Sequence, residues 1–129
     1  MNNIVIAGHE GFPKGLQQTG TFITGAESNV TVCQLFSDES PEAYKDKLVH
    51  ALKKNSNENI ILCDLIGGTA FKAAMRIKQA EEQKNKNIYI VAGINLPGLL
   101  TGMLSKDFLK TSDLVNEIVQ ETKKGIQMF

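Results

Sequence analysis

Two side chains able to handle a charged group stand where apolar runs end. His9 follows Ile4-Val5-Ile6-Ala7-Gly8, and Asp64 follows Ile60-Ile61-Leu62-Cys63. An imidazole whose one ring N–H is held by a carboxylate has a fixed tautomer and a free lone pair on its other nitrogen. His9 so held is a nucleophile and not a general base. Directly after Asp64 comes Leu65-Ile66-Gly67-Gly68-Thr69, a paired-glycine turn with a hydroxyl at a helix start. The backbone N–H groups of Gly67, Gly68 and Thr69, with the positive end of the helix that follows, offer an anion site for three phosphoryl oxygens. Each residue alone also fits a plain structural role: His9 closing a strand, Asp64 a cap, Gly67-Gly68 a turn, Thr69 an N-cap.

These residues need a scaffold that brings strand ends together. Apolar runs at 3–7, 29–36, 59–64 and 87–93 read as strands, and the intervals between them are long enough for crossover helices. The pattern predicts an α/β fold: a doubly wound, mostly parallel sheet with helices on both faces. In such sheets the first and third strands are commonly neighbours, and ligands collect at the carboxyl ends. The first helix, over 13–24, is expected to turn Leu16, Thr19, Phe22 and Ile23 inward. The second opens at Ser40-Pro41-Glu42, with an N-cap hydroxyl, proline at the first helical position and an acid in the first turn. It runs to about residue 53 with Tyr44, Leu48, Ala51 and Leu52 buried, and His50 partly solvated. A third helix covers 69 to about 84 and ends in a solvated charge run, 81–86. A short helix is expected from Leu96, and a last one after Ser112 with Leu114, Val115, Ile118, Val119 and Thr122 inward and Gly125 as its closing C′ residue. The tail 126–129 is apolar and strand-like, and pairs with an edge strand of its own sheet or a neighbour's. The loop 92–97 joins the first and third loops at the carboxyl edge.

Composition narrows the function. Lys+Arg and Asp+Glu both number 14, so no broad electrostatic footprint for nucleic acid or an anionic membrane exists. No apolar stretch approaches the roughly 20 residues needed to cross a bilayer. The start lacks the basic flank and apolar core of a signal peptide, so a cytoplasmic location is expected. Cys33 and Cys63, late in strand-like runs, read as buried thiols, and no close Cys/His spacing suggests zinc. Gly8, Gly11 and Gly15 do not make G-x-G-x-x-G, and G-x-x-x-x-G-K-[ST] is absent. A phosphoaspartate receiver would want an acidic pair after the first strand, where this chain has Gly8-His9.

Three ordered segments, IVIAGHEGFPKGL at 4–16, DLIGGTAFKAA at 64–74 and VAGINLPGLL at 91–100, resemble the IIA component of the mannose/fructose/sorbose family of bacterial sugar phosphotransferase systems. The resemblance covers nearly the whole chain. It implies a phosphotransferase, one phosphocarrier domain over 1–129, in which His9 takes a phosphoryl group from the phosphocarrier HPr and passes it to a IIB component. It also implies that Asp64 orients His9, that Thr69 helps hold the phosphate with Gly67 and Gly68, and that the protein is a homodimer whose short final strand, antiparallel, crosses to the partner's sheet. Membrane components IIC and IID are met only indirectly, which allows peripheral attachment to the membrane through the transporter complex. No cofactor or metal is implied. Since two partners must reach His9, it is expected in a shallow depression rimmed by Phe12, Leu65, Ile66 and Leu96. Thr69-Ala70 stands where many members have Ser-Pro, and the chain has no linker into a IIB domain, so IIB is expected as a separate polypeptide. Two other readings stay open: a phosphoryl-donor subunit for a dihydroxyacetone kinase, and a non-catalytic flavodoxin-like regulatory or ligand-binding domain. The sugar, whether a hexose, sorbose or an amino sugar, is not legible.

Overall fold

The computed structural model describes residues 2–25, 30–52, 58–82, 84 and 88–129. The elements run β1 (Asn3–His9), α1 (Phe12–Thr24), β2 (Val30–Leu35), α2 (Pro41–Ala51), β3 (Asn59–Cys63), α3 (Thr69–Glu82), β4 (Ile88–Ala92), α4 (Leu96–Ser105) and α5 (Thr111–Lys124). The four strands form one parallel sheet in the order β2-β1-β3-β4. β1 and β3 are buried along nearly their whole length, as their unbroken apolar runs require of strands covered on both faces. Alternate side chains feed two cores. Val5, Ala7, Ile61 and Cys63 pack with Tyr44 and Leu48 of α2 and with Ala70, Ala74 and Ile77 of α3. Ile4, Ile6, Ile60 and Leu62 point the other way, toward Leu99 of α4, Leu114 and Ile118 of α5, and the partly buried Leu16 of α1.

Several local expectations hold. The Ser40 hydroxyl accepts from Ala43 N–H at 3.1 Å, with Pro41 and Glu42 opening α2. Cys33 and Cys63 are free, buried thiols. His50 is exposed, its Nδ1 2.7 Å from the carbonyl oxygen of Asp46. The expected starts at residues 29 and 87, the second helix's end at 53 and residues 83, 85 and 86 of the charge run lie outside the described residues.

Other details differ. β1 continues past Ala7 to His9, which pairs with Leu35. The short helix expected from Leu96 is present as α4 and runs ten residues to Ser105. α1 does not bury Thr19, Phe22 and Ile23: all are exposed, and its buried residues are Pro13 and Gly20. The reason is close helix packing. A Cβ on Gly20 would lie 2.7 Å from Met103 Sδ and 3.2 Å from Leu99 Cδ2, so α1 meets α4 through its smallest residue and leaves its largest outside. Gly125 ends α5 with φ −68°, in the right-handed region and not the left-handed C′ conformation. What requires glycine there is room: a Cβ would stand 2.7 Å from Pro97 Cγ. Residues 126–129 form no strand on their own sheet, and Ile126, Met128 and Phe129 are exposed.

Candidate active site

The chain passes from β1 to β2 on one side and then crosses back to place β3 on the other side of β1, so the carboxyl end of β1 borders the topological switch point of the sheet. His9 ends β1, and Asp64 follows the last residue of β3. One carboxylate oxygen, Asp64 Oδ2, accepts the backbone N–H of His9 at 2.8 Å and lies 2.9 Å from its ring Nδ1. A carboxylate only accepts, so the proton sits on Nδ1 and the Nε2 lone pair is free. The histidine side chain is 44% exposed and the aspartate 12%, which leaves the imidazole open to a partner while its anchor is covered. The other carboxylate oxygen, Oδ1, is buried without a hydrogen-bond partner. Gly8 makes this approach possible, because a Cβ there would be 2.7 Å from both Cγ and Oδ2 of Asp64.

The glycine turn closes on the ring from the other loop. A Cβ on Gly68 would lie 3.0 Å from His9 Cε1 and 3.6 Å from Nε2, so a side chain there would press the ring back by a few tenths of an ångström. Gly67 takes φ 80°, the left-handed region where glycine has no penalty. α3 then begins at Thr69, and its first-turn amides have no carbonyl partner within the helix. No acid occupies that first turn. Together these groups form a partial positive charge beside a nucleophilic nitrogen, an arrangement suited to an anion.

His9 and Thr69 line one depression of about 280 Å³. Its remaining wall is Glu10, Leu35, Phe36, Ser37, Glu39 and Pro41, so the loop after β2 supplies much of it. That loop was missed from the sequence, although Phe36-Ser37-Asp38-Glu39 lies at the carboxyl end of a strand next to β1. It is tightly built. Glu39 Oε1 accepts from Phe36 N–H at 2.9 Å and from Lys47 Nζ at 2.8 Å, and Nζ sits 4.9 Å from the centroid of the Phe36 ring. The bond from Lys47 holds the half-buried Glu39 carboxyl below its ordinary range. None of the expected rim residues lines this depression. Phe12 at the start of α1 and Leu65 and Ile66 on the turn after β3 are exposed, and Leu96 is half-buried.

The fourth loop does not contribute a reacting group. Asn95 Oδ1 caps α4 by accepting from Gly98 N–H at 3.0 Å, and its Nδ2 donates to the Thr122 carbonyl at 2.8 Å. Among the described residues, no group of three or more His, Cys, Asp or Glu could hold a metal ion. Glu10 was also missed. It is the one non-glycine residue with positive φ among those described, at 49°. A side chain in the left-handed region costs about 1–2 kcal/mol. Gly11, the residue that follows, has φ −81°.

Fold and site define a class: a parallel α/β domain that presents a carboxylate-oriented imidazole beside a helix amino terminus at the sheet's carboxyl edge. Comparison with known proteins makes the assignment specific. The chain belongs to the EIIA-man family, the PTS system fructose IIA component, whose model matches residues 3–119. It is therefore an EIIA component of the sugar phosphotransferase system. It is 31% identical over 130 residues to the fructose-specific EIIA component of Bacillus subtilis (strain 168), covering 99% of this chain and 86% of that protein. The sorbose-specific EIIA component of Lacticaseibacillus casei is 25% identical over 118 residues, 91% of this chain and 83% of that one. Among solved structures, the phosphotransferase system component EIIA from Streptococcus agalactiae superposes with a TM-score of 0.90 at 27% identity, covering 100% of this chain and 98% of that chain. Among the described residues, no helix is long and apolar enough to cross a membrane.

Proposed function

We propose that this chain is one phosphohistidine carrier domain over 1–129, with His9 accepting a phosphoryl group from phospho-HPr and delivering it to a IIB component. The observation that carries this reading is the 2.9 Å contact of Nδ1 with Asp64 Oδ2, which leaves Nε2 as the open nucleophile. The incoming step forms a bond from Nε2 to phosphorus and breaks the donor's nitrogen–phosphorus bond, whose electron pair returns to the donor imidazole. The Nδ1 proton stays in place on the Asp64 side. Delivery to IIB is the same exchange in reverse roles. As positive charge grows on the ring, the Asp64 carboxylate steadies it. The amides of Gly67 and Thr69 and the Thr69 hydroxyl serve the phosphoryl oxygens; the Gly68 amide, expected among these donors, instead closes the turn by donating to Leu65 O at 3.2 Å. Transfer of this kind depends on positioning and charge, which a small preorganised site supplies.

Phe12, Leu65 and Ile66 serve as apolar docking contacts for both partners, with Leu96 at their margin. Such contacts are brief and of modest area. The working protein is a homodimer in which 126–129 adds an antiparallel strand to the partner's sheet, and the membrane components meet it only through IIB. A cytoplasmic site of action follows.

The test is incubation with phosphoenolpyruvate, enzyme I and HPr, read by intact mass. Wild type gains one acid-labile, base-stable phosphoryl group, and His9→Ala, which folds normally, gains none. A wild type that gains nothing from donors active on a control protein overturns the carrier reading. Transfer onward to a dihydroxyacetone kinase subunit instead of IIB would replace the acceptor.

A further inference from the structure

We infer that Glu10 is a positioning residue for phosphoryl transfer, held in a strained backbone conformation because its carboxylate latches the β2–α2 loop against the histidine strand. The inference rests on the carrier reading of His9 and adds a residue to it. Two adjacent amides pin the chain on either side of the His9 carbonyl. His9 N–H goes to Asp64 Oδ2 at 2.8 Å, and Glu10 N–H goes to Leu35 O at 2.8 Å. The first tie reaches toward β3 and the second toward β2, so the seat of the imidazole is fixed between its two neighbouring strands.

The Glu10 side chain continues the second tie. Its Oε1 accepts from Ser37 N–H at 3.1 Å, reaching across 27 residues of sequence. Ser37 stands in the wall of the depression that His9, Glu10 and Thr69 share. The latch therefore joins the turn that follows the nucleophile to the loop that walls its approach. Glycine would adopt φ 49° without penalty. A glycine could not bridge to Ser37, and the bridge is the gain that offsets the strain.

The variants separate the parts. Glu10→Gly relieves the backbone and removes the latch, whereas Glu10→Gln keeps an Oε1 acceptor and removes the charge. Uptake from phospho-HPr is followed in single turnover, with thermal unfolding and exchange of the Ser37 amide measured alongside. Glu10→Gly is expected to unfold at or above the wild-type temperature, to lose protection at Ser37, and to lose about tenfold to a hundredfold in uptake rate. Glu10→Gln is expected to keep Ser37 protected and to stay within about threefold of the wild-type rate. Wild-type uptake by Glu10→Gly would overturn the inference, and so would a Gln variant as slow as the Gly variant. If wild type accepts no phosphoryl group the carrier reading fails, and protection of Ser37 still decides the latch: an amide as unprotected in wild type as in Glu10→Gly removes it.

Discussion

Gly8 leaves the room that the contact between His9 and Asp64 requires. A methyl group at position 8 would lie 2.7 Å from the Asp64 carboxyl, and that carboxyl is already fixed by the His9 amide and ring. Gly8→Ala should therefore keep the sheet but push Asp64 off Nδ1, lowering phosphoryl uptake by about a hundredfold, as a misplacement near 1 Å does. The check is uptake rate with the histidine ring nitrogens followed by NMR, and an unchanged Nδ1 environment would contradict it. At this scale the sequence was legible for reacting groups and not for their spacing devices. His9 and Asp64 could be paired because each closes an apolar run and adjacent parallel strands bring such ends together. Gly8 reads as one more strand residue, and Glu10 hides because dihedral angles leave no mark on residue type when a glycine stands next to it.

Among the elements, the clearest division is between the two halves of the sheet's carboxyl edge. The ends of β1 and β3 hold the His9–Asp64 pair, while the turn before α4 holds the helices together through Asn95. Asn95→Ala removes a helix cap and the bond to Thr122 O at once. It should cost about 2 kcal/mol, the sum of a cap and a part-buried hydrogen bond, with phosphoryl uptake at low temperature unchanged. Denaturant unfolding beside an uptake assay tests both halves, and lost uptake in a stable variant would move Asn95 into the site. The order of strands and helices was readable because apolar runs and amphipathic intervals alternate so regularly. The inward face of α1 was not, since counting large apolar residues finds Phe22 and Ile23, whereas the contact with α4 is made through Gly20. The β2–α2 loop escaped for a similar reason: its polar residues look like an ordinary turn until β2 is placed beside β1.

At the scale of the whole molecule, the core beneath α2 and α3 makes stability depend on alkaline pH. Burial, with a smaller contribution from Asp64, pushes the Cys63 thiol up from 9.0 to about 12. A thiol raised in the folded state keeps its proton while the unfolded chain loses one, so its stabilisation is complete below pH 9.0 and is lost as the pH climbs toward 12. Cys63→Ala should flatten that alkaline decline, seen as a smaller change in denaturation midpoint between neutral and alkaline buffer, and an equally steep decline would assign it to other groups. The tail bears on the molecule in another way. Ile126, Met128 and Phe129 stand in water on a single chain. A segment seated on a second copy places part of the folding free energy in the pair, so thermal stability follows the law of mass action. Each tenfold dilution then removes about 1.4 kcal/mol of it. A melting temperature that falls steadily with dilution, and stops doing so once 126–129 are removed, would mean that how firmly each protomer is folded depends on how many others are present.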